Sequence, residues 1–174
     1  RLKMEQVRRY AASFLGCELD ELALTRNATE AMNAIAQGIH LEAGQRVLIS
    51  DQEHPGGSVC WEYFAKRTGV HIDKVKLRLP PTNSGEILQA IEDGITPKTR
   101  VISLSHVTYP TGIQMPLRQI ANLARTRGIL FIVDGAQAAG MLPVNLHELD
   151  CDAYAVSAHK WMLAPKGTGL LYIQ

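Results

Sequence analysis

A three-layer α/β/α domain around a mostly parallel sheet is the architecture expected of this 174-residue chain. Short β-branched or aromatic runs alternate with stretches of helical spacing, a pattern that suits parallel strands joined by right-handed crossovers. The most apolar run, Ile129 to Val133, has no polar alternate residue, as a strand covered on both faces requires. Polar, turn-rich segments come after four of the runs, which gathers those segments along one edge of such a sheet.

Leu2, Val7, Tyr10, Ala11 and Phe14 carry an opening helix. Ala31, Ala34, Ile35 and Gly38 make the stripe of a second, preceded by Asn27 and Glu30 at the spacing of a capping box. Arg46 to Ser50 reads as a strand, and after it a helical stretch stops before Gly69, a residue type suited to the position after a helix end. Ile72 to Leu77 is a strand, and Ile87, Leu88 and Ile91 a helical stripe. Arg100 to Leu104 is the next strand. Pro116 fits the first turn of the helix carrying Leu117, Ile120, Ala121 and Ala124, and Gly128 closes it. Ile129 to Val133, Asp152 to Val156 and Gly169 to Ile173 complete the strands. The chain opens at Arg1 inside a helical pattern and stops directly after a strand, so it is expected to be part of a longer protein, with residues 1–174 forming one domain.

Composition narrows the function. The chain is 46% apolar and 20% charged, ordinary for a packed domain and wrong for a disordered tail. Lys and Arg number 18 against 17 for Asp and Glu, so no charge excess favours nucleic acid. No apolar run approaches a bilayer span, which argues against a membrane partner. Cys17, Cys60 and Cys151 are widely spaced and form no CxxC pair, consistent with a reducing, cytoplasmic compartment. No HxH, HExxH or clustered carboxylates mark a metal site, and no GxGxxG or GxxxxGK(S/T) marks a nucleotide loop.

The chemistry-bearing residues stand at the carboxyl ends of the strands. Asp134 ends the most apolar run, where a carboxylate must be paired, capping or functional. It reads either as a turn residue before Gly135 or as a fixed anion that keeps a ring nitrogen protonated. Gln137 could donate to a nearby oxygen or cap the same turn. Lys160 stands after a buried strand beside His159 and Trp161, and desolvation there would make its amine a Schiff-base nucleophile. Ser157 and His159 could bond a phosphate or satisfy the turn. The segment from Thr25 to Glu30 is either a well-capped helix start or an anion seat. His54, in a Pro/Gly turn, could stack on a planar cofactor, and His106 is similarly placed; either could equally be incidental. An anion seat, a lysine amine and a carboxylate on neighbouring strand ends suit pyridoxal phosphate.

Four segments, Thr25 to Ala31, Asp134 to Ala138, Ser157 to Lys160 and Lys166 to Leu170, together resemble the class V aminotransferases. These are fold-type I pyridoxal-phosphate enzymes that include cysteine desulfurases and isopenicillin-N-epimerase-like proteins. Asp51 to Pro55 and Ser105 to Gly112 look most similar to the latter branch. The resemblance implies that Lys160 carries the cofactor as a Schiff base, that Asp134 pairs with the pyridinium nitrogen, and that Gln137 bonds the phenolic oxygen. It places Ala28, Thr29, Ser157 and His159 at the phosphate, His54 on the ring face and Thr108 near the ring. It implies a homodimeric enzyme acting on an amino acid by transaminase or epimerase/lyase chemistry, with cysteine desulfurase or selenocysteine lyase chemistry as the alternative. A smaller C-terminal domain, with the arginine for the substrate carboxylate and any catalytic cysteine, would lie beyond Gln174; Cys17, Cys60 and Cys151 are then structural. A non-catalytic α/β binding module is the competing class, and Lys160 discriminates, since only the enzyme needs an amine there.

Overall fold

Alternate residues of the strands face opposite layers of helices, and that alternation sets the architecture. The computed structural model describes residues 2–174, with the side chains of residues 3–174. In chain order the elements are α1 (Leu2–Leu15), β1 (Leu22–Thr25), α2 (Ala28–Gly38), β2 (Arg46–Ser50), α3 (Pro55–Thr68), β3 (His71–Val75), α4 (Ser84–Gly94), β4 (Thr99–Ser105), α5 (Leu117–Thr126), β5 (Leu130–Asp134), α6 (Leu146–Leu149), β6 (Ala153–Val156) and β7 (Gly169–Ile173). The seven strands form one sheet in the order β1-β7-β6-β5-β4-β2-β3. The five from β6 to β3 run parallel, while β7 lies antiparallel to both β6 and β1.

One face packs Leu48, Ile102, Leu104, Phe131, Val133 and Tyr154 against α1, α4 and α5. The other packs Val47, Ile49, Val101, Ile132 and Ala155 against α2 and α3. Strands covered on both faces need continuous apolar sequence, which is why Phe131, Ile132 and Val133, all buried, run without a polar alternate, whereas Leu130 at the strand's start is exposed. Because β2, β4, β5 and β6 are parallel, the segments after them share one edge, the crevice where α/β sheets bind ligands.

The helix ends are locally specified. Asn27 caps α2 by accepting the Glu30 N–H at 2.8 Å. The Glu30 carboxylate reaches the Arg26 N–H rather than Asn27, so the capping box closes one residue early. Gly69 ends α3 in the left-handed region at φ 76°, as a glycine after a helix allows. Pro116 stands one residue before α5, at its cap.

Three details depart from the sequence expectation. In α1 the buried residues are Ala11, Ala12 and Leu15, whereas Val7, Tyr10 and Phe14 are exposed. The helix meets the sheet through its small residues, which allow close approach, rather than through its most apolar stripe. Strand β1 and the single turn α6 carry no readable period because each has only 4 residues. Finally, β3 ends at Val75, since Asp51 captures the Leu77 N–H with its carboxylate at 3.1 Å.

Candidate active site

The crevice is built from four strand ends and one helix start. Asp134, the last residue of β5, is 7% exposed. Its Oδ1 accepts the Ala136 N–H at 2.9 Å, so it does serve the turn. Among the described residues nothing donates to its Oδ2. Burial pushes the carboxyl above the usual carboxylate range, while the Ala136 N–H and the charges of Lys160 and His54 pull against that shift. Lys160 and His54 thus lie within electrostatic reach of this carboxylate.

Helix α3 comes against Asp134 through glycines. A Cβ at Gly57 would fall 2.7 Å from Asp134 Oδ2, and one at Gly56 would fall 2.5 Å from Thr29 Oγ1. The segment Pro55, Gly56, Gly57 therefore wedges between Asp134 and the start of α2. His54 caps α3, its Nδ1 accepting the Gly56 N–H at 2.9 Å. That bond fixes the tautomer of the neutral ring, with the proton on Nε2. Tyr109 meets the His54 ring edge-on, centroids 4.7 Å apart.

The start of α2 offers donors selectively. The Ala28 N–H goes to Ser157 Oγ at 3.0 Å, tying α2 to the end of β6, and the Glu30 N–H goes to Asn27. The Thr29 N–H between them has no protein partner among the described residues, and Thr29 is exposed. The donor left open at this helix start is therefore the Thr29 N–H. Ser157 accepts from Ala28, which leaves its own hydroxyl proton to donate. His159 holds its Nδ1 3.1 Å from the Thr168 carbonyl. A carbonyl only accepts, so Nδ1 carries the proton and Nε2 is left for a ligand. Lys160 comes next, half-buried, in a turn where its backbone N–H bonds the Ser157 carbonyl at 3.1 Å.

Gln137 lies on the loop after β5, its Oε1 accepting from Trp161 Nε1 at 2.9 Å. Thr108 differs from the others. It is 1% exposed, and its hydroxyl is engaged within its own loop by the Ile113 N–H at 2.9 Å and Thr111 Oγ1 at 2.8 Å. His106 is withdrawn from the crevice: it is 4% exposed and shares a hydrogen bond with Tyr154 at 2.8 Å.

Glu53 is a half-buried group that sequence reasoning does not single out. It receives hydrogen bonds from Ser50 and from Ser105, the latter at 2.6 Å, and so clamps the ends of β2 and β4 beneath the crevice. Burial pushes its carboxyl up, and the charge of Asp134 pushes it the same way. Its place directly before His54 is the available signal, together with the Pro-Gly-Gly just beyond.

Known proteins share this arrangement of strands and helices. The family described as Aminotransferase class-V matches residues 1–174. The isopenicillin N epimerase of Amycolatopsis lactamdurans is 40% identical over 164 residues, 92% of this chain and 41% of that protein. The cysteine desulfurase of Shigella sonnei is 35% identical over 176 residues, 99% of this chain and 42% of that protein. Among solved structures, C-DES with glycine covalently linked to its PLP cofactor superposes with a TM-score of 0.93 at 30% identity, over 98% of this chain and 45% of that one. A cysteine desulfurase of Escherichia coli gives 0.90 at 30% identity, over 98% of this chain and 43% of that one. The chain thus spans about two fifths of the length of the curated relatives it matches. Sequence and fold agree, and the chain belongs to the class V aminotransferase family.

Proposed function

We propose that residues 1–174 form the large, pyridoxal-phosphate-binding domain of a homodimeric cytoplasmic enzyme that acts on an amino acid, with Lys160 as the amine that takes the cofactor. One observation carries the proposal: a buried carboxylate, Asp134, keeps an oxygen without a protein donor at the crevice floor, within electrostatic reach of Lys160 and His54. A protonated ring nitrogen is the partner that site lacks, because a buried charge needs a charged or donating neighbour. The remaining open groups fit the same ligand. The Thr29 N–H and the Ser157 hydroxyl suit a phosphate as donors, with Ala28 holding Ser157 in place, and His159 Nε2 would join them as a donor only with a second proton on the ring. The Gln137 amide suits a phenolic oxygen, and His54 covers a ring face.

When bound, pyridoxal phosphate supplies an aldehyde for a substrate amine and a ring that withdraws electrons from the substrate Cα. Asp134 would keep the ring nitrogen protonated through a charge-assisted hydrogen bond, which would set how strongly the ring withdraws. His54 shields one face from water. Lys160 Nζ, half-buried at the end of the crevice, would be the base that removes the substrate Cα proton. Thr108 contributes through the position of its loop rather than through its hydroxyl. Transaminase or epimerase/lyase chemistry leads, supported by the epimerase relative at 40% identity. Cysteine desulfurase chemistry is second, supported by the relative at 35% and by the solved neighbours. The free thiols Cys60 and Cys151, both buried, support a reducing compartment.

Borohydride reduction of the protein with pyridoxal phosphate is expected to leave a covalent adduct on the peptide containing Lys160. An adduct on another lysine, or none in folded protein, overturns the proposal and favours a non-catalytic module. Sulfur release from cysteine, without racemisation or transamination of other amino acids, would favour the desulfurase reading.

A further inference from the structure

The Gln137 amide is held from behind by the residue next to the lysine. Trp161 Nε1–H donates to Gln137 Oε1 at 2.9 Å. An indole N–H can only donate, so it takes the oxygen end of the amide and leaves the NH2 end free. Backbone packing supports the contact. Gly140, at φ 89°, lies so close to the lysine turn that a Cβ there would fall 2.6 Å from the Trp161 carbonyl and from Met162 N. The loops after β5 and β6 therefore meet backbone to backbone beside the hydrogen bond. Trp161 itself is 49% exposed, so burial of its ring does not account for its place.

We propose that Trp161 is a positioning residue whose indole N–H turns the Gln137 amide so that its NH2 faces the phenolic oxygen of the cofactor. The inference rests on the pyridoxal-phosphate reading of the site and adds the group that aims one of its donors. Without the indole, the amide rotates about its terminal torsion, and half of its orientations set a lone pair against an oxygen that bears negative charge. A donor aimed at that oxygen favours the cofactor form with more negative charge there. It therefore lowers the pH at which the cofactor's visible absorption titrates, and loss of aim raises that pH.

The test is a pH titration of visible absorption in the cofactor-loaded full chain, for wild type, Trp161→Phe, Gln137→Ala and the double variant. Gln137→Ala is expected to raise the midpoint by about one pH unit, the scale of one hydrogen bond to a charged group. Trp161→Phe is expected to raise it by part of that amount, and the double variant is expected to match Gln137→Ala. An unmoved midpoint in Trp161→Phe, or two shifts that add, overturns the inference while the Lys160 adduct stands. Absence of the adduct removes the cofactor reading and the inference with it. Should Trp161→Phe fail to fold, the link is read from its other side by NMR. In Gln137→Ala the Trp161 indole N–H signal is expected to shift and exchange faster, while that of Trp61, bonded to Ser103 at 2.9 Å, holds. An unchanged Trp161 signal overturns the inference equally.

Discussion

Asp134, proposed above to hold the cofactor's ring nitrogen, works against the bare fold. Its carboxyl is held above the usual range because burial opposes the charged form. A carboxyl whose folded pKa is raised contributes stability below its ordinary pKa of about 4, and that contribution is lost as pH rises through the raised value. The cofactor-free protein should therefore be destabilised by Asp134 at neutral pH. Asp134→Asn keeps an oxygen for the Ala136 N–H and removes the charge, so it is expected to stabilise the cofactor-free protein at pH 7 by roughly 1–3 kcal/mol. Denaturant unfolding at pH 4 and pH 7 measures this, and an advantage at pH 7 no larger than at pH 4 would contradict it. Glu53, raised for the same reason, adds a residual slope of the same sign in the variant. Removal of the anion harms the chemistry instead: turnover of the loaded enzyme is expected to drop by about a hundredfold or more, as when a preorganised charge is removed from a reacting site.

At the scale of elements, the site depends on how closely helix starts approach strand ends. Ser157 joins the end of β6 to the first N–H of α2. Ser157→Ala leaves that buried N–H without a partner and is expected to cost about 1–2 kcal/mol in unfolding, and to weaken phosphate-dependent cofactor binding as well. Gly57 governs the approach of α3. In Gly57→Ala the added carbon must displace the Asp134 carboxylate it would otherwise meet at 2.7 Å, so cofactor affinity is expected to fall by about tenfold, the effect of roughly 1.4 kcal/mol. An unchanged Kd by absorbance titration would show that the carboxylate moves freely. These elements also mark what is legible in the sequence. Asp134, Lys160 and the Asn27 cap are readable because each lies at a fixed offset from an apolar run. The Gly57 wedge, the Ser157 bond to Ala28 and the Trp161 bond to Gln137 are not, since each joins segments distant in sequence, and no local period records such a pairing. Thr108 falls on the expected loop, but which way its hydroxyl turns depends on Thr111 and Ile113.

Across the whole molecule, parallel strands explain why the functional edge is legible in the sequence and the rest of the sheet order is not. Parallel pairing puts every strand's carboxyl end on one side, so identifying β2, β4, β5 and β6 is enough to gather their loops. The antiparallel placement of β7 between β1 and β6 is invisible, because β1 is too short to announce itself and its pairing is settled by which edge remains open. The same layered burial makes one histidine sensitive to acid. His106 sits under the sheet edge against Tyr154, and burial pushes its imidazole down to about 4 from 6.5. A histidine with a depressed folded pKa contributes stability that is present above 6.5 and lost as pH falls toward 4, because the unfolded chain binds the proton first. This slope is opposite in sign to that of Asp134 and Glu53, whose windows also open near pH 4, so the effects offset each other in wild type and His106 is isolated by comparing variant with wild type. The full drop from His106 is on the order of 3 kcal/mol. His106→Asn should lower stability at pH 7, where the bond to Tyr154 is weakened, yet flatten the loss between pH 6.5 and pH 4 by about that amount. Unfolding free energies across that window decide the point: parallel curves for variant and wild type would mean that His106 takes its proton without disturbing the fold, and that sensitivity to acid lies with other groups.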